Sequence, residues 1–285
     1  MPRWHGEDGA GKALLVWTDQ GFGDMLMFMR YLRLLKRRGF AKLIVQCETP
    51  LVRIVRTLSG VDEVVSREAP VPFGHFDLHC PMSSLPLAFA TRLDSIPREV
   101  PYLSVPGAMT EEWARRLEGV GPLRVGLVWA GRREFPKDAL RSIRLERFAP
   151  LFQIGGAAFV SRQKGDEAAQ RTHTGWPIRD WMDECDDLLD TAALMEQLDL
   201  VIGVDTGIVH LAAALGRPTW LLNRFESEWR WMLDREDCAW YPTLRIFRQR
   251  EPGAWDEVLR RVADALGSFV AAGSAGTRSV DRGSS

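Results

Sequence analysis

The sequence predicts an α/β protein made of two parallel-sheet halves, and three observations predict it. Short apolar runs alternate with helical stretches. That alternation occurs twice, on either side of a Gly/Pro-containing stretch at 119–122. The two most informative Gly-containing turns, 21–24 and 205–207, each follow such an apolar run directly. Strands alternating with helices build parallel sheets, and ligands of such sheets gather at the carboxyl ends of the strands.

In chain order, 13–17 reads as a strand buried on both faces. A helix over 25–38 follows, with apolar Leu26, Phe28, Met29, Leu32 and Leu35 at helical spacing. Lys36, Arg37 and Arg38 complement its negative end, and Gly39 stops it. Strands are expected at 43–45, 61–65 and 76–78. A helix opens at Thr49-Pro50 and closes at Gly60. The proline-rich stretch 70–106 reads as loops and short pieces, and 109–117 as a helix. The pattern restarts with strands at 125–129 and 157–161. A helix capped by Asp190 runs to Leu198, and 200–204 is the clearest strand. A helix beginning at Asp205 ends at Gly216-Arg217-Pro218, and 219–222 is a strand. An amphipathic helix over 255–266 precedes a tail from Ala271 that is rich in small residues and expected to be disordered. The expected units are 1–120, 121–270 and the tail 271–285.

The 285 residues are 46% hydrophobic and 26% charged, with a formal net charge of -1. That is ordinary for a soluble globular chain, and it gives no basic excess of the kind nucleic acid or an anionic membrane would favour. Cys47, Cys80, Cys185 and Cys238 show no C-x-x-C spacing and read as reduced, mostly buried thiols. Residues 1–12 lack an apolar signal core, and no run of about 20 apolar residues is present, so the expected location is the cytoplasm. His5, His75, His79 and His173 form no metal-ligand spacing, and no metal site is expected.

Four stretches can carry chemistry. In Val204-Asp205-Thr206-Gly207 a buried strand runs into a helix start, whose free N–H groups suit a diphosphate. Gly207 permits close approach, and His210 shares that helix face. Asp205 serves equally well as an N-cap, and His210 as a core histidine. In Gly21-Phe22-Gly23-Asp24 the third glycine of the dinucleotide fingerprint is absent, which disfavours a nicotinamide-dependent dehydrogenase. Asp24 is there either a general base or an N-cap. Trp129-Ala130-Gly131, with Lys137, Asp138, Arg141, Ser142 and Arg144 downstream, offers a strand end and a basic loop able to hold phosphate oxygens. A merely solvated loop has the same composition. Tryptophans in Glu228-Trp229-Arg230-Trp231 and Trp240-Tyr241-Pro242 can stack on sugars or bases, although packing is their commoner use.

Several segments match one family together. They are Asp19-Gln20-Gly21-Phe22-Gly23-Asp24 with Phe28-Met29-Arg30-Tyr31, Cys80-Pro81-Met82-Ser83-Ser84-Leu85-Pro86, and Ile96-Pro97 with Val100-Pro101-Tyr102-Leu103. Val125-Gly126-Leu127-Val128-Trp129-Ala130-Gly131 with Arg141-Ser142-Ile143, the run from Asp190 through Asp205-Thr206-Gly207 to Ala212, and Trp229-Arg230-Trp231 to Gln249 complete the set. From about Trp4 to Leu266 the chain resembles the glycosyltransferase domain at the C-terminus of bacterial tetratricopeptide-repeat proteins. That domain is similar to the ADP-heptose lipopolysaccharide heptosyltransferases of glycosyltransferase family 9. Departures are Arg132-Arg133-Glu134 after Gly131, and Leu222-Asn223-Arg224 where Leu-Pro-Phe is usual.

The resemblance implies the GT-B fold: two facing Rossmann-like domains, the site between them, and a last helix that packs back onto the first domain. It implies an inverting, metal-independent transferase that moves a sugar from a UDP- or ADP-linked donor to an acceptor hydroxyl, without a cofactor. Asp24 is then the base. Asp205, Thr206 and Gly207 hold the diphosphate with His210 nearby, Arg141 and Ser142 contact phosphate, and Gly21, Gly23, Trp129 and Gly131 line the sugar-donor site. The acceptor is a glycan, a lipid-linked molecule or a protein, and a repeat array is a candidate partner. Two other functions fit the same residues: a GT-B epimerase or hydrolase acting on the sugar nucleotide alone, and a degenerate module that only binds nucleotide or protein.

Overall fold

The computed structural model describes residues 1–71 and 74–280, with side chains through Ala272. The strands form two sheets, and every strand pair in both is parallel. The first contains β1 (Ala13–Trp17), β2 (Lys42–Cys47), β3 (Glu63–Ser66) and β4 (Leu78–Pro81) in the order β3-β2-β1-β4. The second contains β5 (Arg124–Val128), β6 (Ala158–Ser161), β7 (Ile178–Arg179), β8 (Leu200–Val204), β9 (Thr219–Asn223) and β10 (Leu244–Arg248). Its order is β10-β9-β8-β5-β6-β7. Strand order reverses between β1 and β4 in one sheet and between β5 and β8 in the other. Those are the places where a doubly wound sheet opens a crevice for ligand.

Six longer helices cover the sheets: α1 (Phe22–Phe28), α2 (Thr49–Val55), α3 (Gly107–Arg116), α4 (Leu188–Met195), α5 (Gly207–Ala214) and α6 (Trp255–Val280). The helix expected over 25–38 starts three residues earlier, at Phe22, and then breaks into short pieces. Tighter 3-10 turns at Met29–Tyr31 and Lys36–Arg38 flank one α turn, and Gly39 ends it in the left-handed region at φ 80°. The first break coincides with Arg30, whose buried guanidinium takes the carbonyls of Met27, Pro97 and Trp240. The cap of α4 is Asp187, not Asp190. Its carboxylate accepts from the amides of Leu189 and Asp190 at 2.8 and 3.1 Å, while Asp190 pairs with Arg53 on α2. β7 and β10 have no counterpart in the apolar pattern. One is two residues long, and the other interleaves Arg245 and Arg248 with its apolar residues.

One apolar cluster runs through both halves. It joins Leu14, Val16, Met25, Leu26 and Met29 of the first to Val209, Leu211 and Ala212 of α5 in the second. α3 also crosses, with Thr110 bonded to Glu196 beyond the end of α4. Among the described side chains the last helix packs on the second half and not back on the first, which corrects the expectation drawn from the resemblance. Trp255, Val258, Leu259, Val262, Ala263 and Leu266 of α6 bury themselves with Val125, Leu127, Ile202, Leu222 and Phe247 on the far face of the second sheet. That face would otherwise be open apolar surface, and the stripe of α6 has the spacing to cover it. The helix passes Ala271, where the tail was expected to begin, and continues through Val280; residues 281–285 lie outside the described residues. Among the described residues no helix is long and apolar enough to cross a membrane. All four cysteines are free and buried.

Candidate functional site between the two sheets

The turns after β1 and β8 meet. Gly21 is the N-cap residue of α1, and Thr206 that of α5, so neither Asp24 nor Asp205 caps a helix. Both carboxylates are therefore free for other partners, and two consecutive residues of one 3-10 turn (Trp229–Trp231) supply them. Arg230 Nη2 donates to Asp24 Oδ1 at 2.5 Å, and Trp231 Nε1 donates to Asp205 Oδ2 at 2.9 Å. The turn belongs to the second half, so Arg230 ties the halves together. Arg248 donates to the carbonyls of Trp231 and Met232 and fixes the turn from behind.

The two helix starts touch. A Cβ built on Gly207 would lie 3.6 Å from the Gly23 nitrogen. His210 sits beneath Gly23 with a side chain 1% exposed. Its Nδ1 and the Tyr241 hydroxyl are 2.9 Å apart, and its Nε2 has no hydrogen-bond partner, with Asp205 Oδ1 at 3.9 Å. Burial, followed by the nearby Arg230 and Arg30 charges, holds its pKa well below the usual histidine value. The Asp24 carboxyl is pushed up, chiefly by burial. Arg230 opposes that shift, while Asp205 and Glu228 add to it.

The basic loop joins the same place. Arg141 Nη1 donates to the Asp205 carbonyl at 2.7 Å, and its Nε donates to Asp138 at 2.9 Å. Ser142 donates to Asp138 at 2.8 Å and accepts from the Gly131 amide at 2.9 Å. A Cβ at 131 would stand 2.3 Å from the Arg141 guanidinium and the Asp138 carboxylate, so any larger residue would displace that pair. Phe135 covers the Arg141 guanidinium at 4.4 Å. The Thr206 hydroxyl is buried without a partner.

Gln163 extends the line away from this cluster. Its Oε1 accepts from the amides of Trp129 and Ala130 at 3.1 and 2.9 Å. It also lines a cavity of about 510 Å3 beyond the ends of β6 and β7, with Lys164, Arg171, Asp180, Asp183 and Cys185.

Of the residues singled out from the sequence, the structure gathers Gly21, Gly23, Asp24, Gly131, Arg141, Ser142, Asp205, Thr206, Gly207 and His210 around these facing turns. Trp129 points elsewhere. Its ring is fully buried in the core of the second sheet, with the indole N–H on the Glu167 carbonyl, so its main chain alone faces the turn. Gln163 was not singled out from the sequence, while Asp138, Arg230, Trp231 and Tyr241 lay in the candidate stretches without the roles the structure gives them. The arginine between two tryptophans was the available signal for Arg230 and Trp231. Among the described residues no three His, Cys, Asp or Glu side chains are grouped to hold a metal ion.

Residues 185–231 match the family model described as glycosyltransferase family 9 (heptosyltransferase), a segment holding Asp205, His210 and Arg230. The E. coli ADP-heptose lps heptosyltransferase II has a TM-score of 0.64 at 14% identity, covering 90% of this chain and 98% of its own. The fold is GT-B. A glycosyl transferase family 9 protein of Veillonella parvula shares this GT-B architecture with a TM-score of 0.58 at 12% identity, over 86% of this chain and 88% of its own. The iron-containing dodecameric glycosyltransferase TibC of enterotoxigenic E. coli gives 0.53 at 14%, over 93% and 76%. Among curated proteins, Protein FlbA of Caulobacter vibrioides is 30% identical over 292 residues, 94% of this chain but 48% of FlbA. The GT-B chain therefore spans about half the length of that relative.

Proposed function

We propose that this chain is an inverting glycosyltransferase. It would move a sugar from a nucleotide-diphosphate donor to an acceptor hydroxyl without a metal ion. One observation carries the assignment: Asp24 from the first half and Asp205 from the second stand at facing helix starts, held by the adjacent Arg230 and Trp231. Family and fold support the transferase part of it, since the matched family and the similar structures are named as glycosyltransferases or heptosyltransferases.

The second half offers the seat for the sugar donor. The free N–H groups of α5 carry the positive end of a helix dipole and suit a diphosphate. The unpaired Thr206 hydroxyl stands at that end. Arg141 is fixed by Asp138 and the Asp205 carbonyl, so a cation waits beside the leaving group with little reorganisation. Ser142 holds the Gly131 amide, which keeps the turn open to a phosphate oxygen. The cavity beside Gln163 has room and polar groups for the nucleoside end.

Asp24 then takes the proton of the acceptor hydroxyl. The acceptor oxygen forms a bond to the anomeric carbon as the bond from that carbon to the diphosphate oxygen breaks. The nucleoside diphosphate departs with the electron pair toward Arg141 and the start of α5. A single base on the attacking side inverts the centre and needs no protein nucleophile. A glycan, lipid-linked or protein acceptor enters from the first sheet, where Asp19 and Ser83 join the turns after β1 and β4.

The experiment is a thermal-shift panel of UDP, ADP, GDP and their sugar conjugates, with and without EDTA. A ligand of the folded state at about 100 times its Kd adds about 2.7 kcal/mol. The expected result is one selective, EDTA-insensitive shift, followed by sugar transfer. No shift with any nucleotide overturns the donor seat, and turnover of the sugar nucleotide without an acceptor reassigns the chain as a hydrolase or epimerase.

A further inference from the structure

Arg230 reaches Asp24 across 206 positions of chain, and among the described residues Asp24 is the carboxylate it pairs with. The nearest acid on its own turn, Glu228, is held by Arg224 at 2.5 Å. Trp231, the next residue, is committed to Asp205. Arg230 is nearly buried, 11% exposed in its side chain, and its Nε has no partner. Burying a guanidinium this far has a cost that a single surface ion pair would not repay, so the contact with Asp24 calls for a use.

Among the described residues Asp24 in turn makes one hydrogen bond. Arg230 occupies Oδ1, while Oδ2 makes none and faces Gly21, where even an added Cβ would stay 3.7 Å away. The charged groups around Asp24 are Arg230, Asp205 and Glu228. His210, packed under Gly23 on the facing helix, is held neutral. Arg30, further along the same helical run, is spent on three carbonyls and the Tyr102 hydroxyl. Among the described residues Arg230 is thus the one cation bonded to a half-buried carboxylate that has two acidic neighbours.

Resting on the transferase assignment above, we propose that Arg230 is the positioning residue for its base. It holds Asp24 as an oriented carboxylate, Oδ1 bound and Oδ2 open to the acceptor proton. Because Arg230 belongs to the second half, Asp24 is ready to accept a proton only when the halves meet as they do here. Without the guanidinium, burial and the two acidic neighbours act unopposed and favour the protonated acid, which cannot serve as base.

The test follows the Asp24 carboxyl carbon by NMR through a pH titration of the whole chain, with Asp24→Asn to assign the signal. Wild type, Arg230→Gln and Arg230→Lys are compared, and nucleoside diphosphate release from ADP-, UDP- and GDP-sugars, in the presence of glycan, lipid-linked and protein acceptors, is followed over the same pH range. In Arg230→Gln the Asp24 midpoint should rise by about one pH unit or more. The acid limb of kcat/KM should move with it. At neutral pH kcat should fall about 10- to 100-fold while the donor KM changes less than about 3-fold. Arg230→Lys should restore most of the midpoint. A folded Arg230→Gln with an unchanged Asp24 midpoint overturns the proposal. A shifted midpoint in a protein whose wild type turns over no sugar nucleotide supports the hold of Arg230 on Asp24 and overturns the transferase assignment instead.

Discussion

Gly23 on α1 and His210 on α5 pack so closely that a Cβ on the glycine would stand 2.8 Å from the imidazole Cδ2. The imidazole cannot swing aside freely, because Tyr241 holds its Nδ1 and Trp231 lies 5.1 Å from it, ring to ring. Gly23→Ala should therefore push the halves apart and lower stability by about 1–3 kcal/mol, the usual cost of overpacking. Thermal unfolding checks it. The double variant Gly23→Ala/His210→Ala should lose less than the sum of the two single changes, since the second removes the obstacle met by the first.

Both turns could be found in the sequence, because each places small residues between a buried strand and a helix. The use of their carboxylates could not. Asp24 and Asp205 each looked like an N-cap as readily as a functional acid. The choice was made by Gly21 and Thr206, which take the cap positions and leave the carboxylates free. The stretch around Arg230 stood out for its tryptophans, but the arginine's own role was hidden because its partner is 206 residues away. The packing reading was right for Trp231 in part: the ring is buried, yet its N–H is spent on Asp205. Trp129 failed for the opposite reason. The resemblance puts Trp129 at the sugar-donor site, but alternation along β5 turns this ring into the core with Val125 and Leu127. The apolar stripe of the last helix was plain in the sequence, although the surface it covers was not.

Asp24 leads to two opposed pH responses. Its pKa lies above 3.8, so a reaction that needs the carboxylate should fail as pH drops through that raised value. Folding responds the other way. A carboxyl whose folded pKa is raised adds stability that is full below the unfolded value and lost as pH rises through the folded one. Asp24→Asn should cut transfer about 10²- to 10⁴-fold. Its melting temperature relative to wild type should be highest at neutral pH and decline on acidification. A relative melting temperature that stayed flat with pH would contradict the burial of an ionised Asp24.

Arg141 is held in one orientation by Asp138, the Asp205 carbonyl and the Phe135 ring. A lysine supplies one charge and no planar fork, so it cannot meet the carboxylate, the carbonyl and the aromatic face at once. Arg141→Lys should weaken nucleoside diphosphate binding about 10-fold or more, close to the effect of Arg141→Gln, by about 1.5–3 kcal/mol for a lost charge-assisted bond. Calorimetric titration with the nucleotide found in the thermal-shift panel measures it. The corresponding monophosphate should lose less, because it lacks the group nearest the cation.

His210 should make the fold sensitive to acid. Its imidazole is completely buried and kept neutral, whereas in the unfolded chain it protonates near 6.5. For a base whose folded pKa is depressed, the unfolded state takes the proton first. Stability is then full above the unfolded value and is lost as pH falls below it, until the folded value is reached. The loss approaches about 1.4 kcal/mol for each pH unit below 6.5. Replacement by a side chain that does not titrate removes this dependence. His210→Gln can still bond Tyr241, so it should be less stable than wild type at pH 8 yet lose less stability between pH 6.5 and 5. Denaturant melts at both ends of that range measure the difference. Equal acid sensitivity in the two proteins would mean that the imidazole takes up a proton in place, with Asp205 Oδ1, 3.9 Å from Nε2, as the carboxylate oxygen that its charge would face.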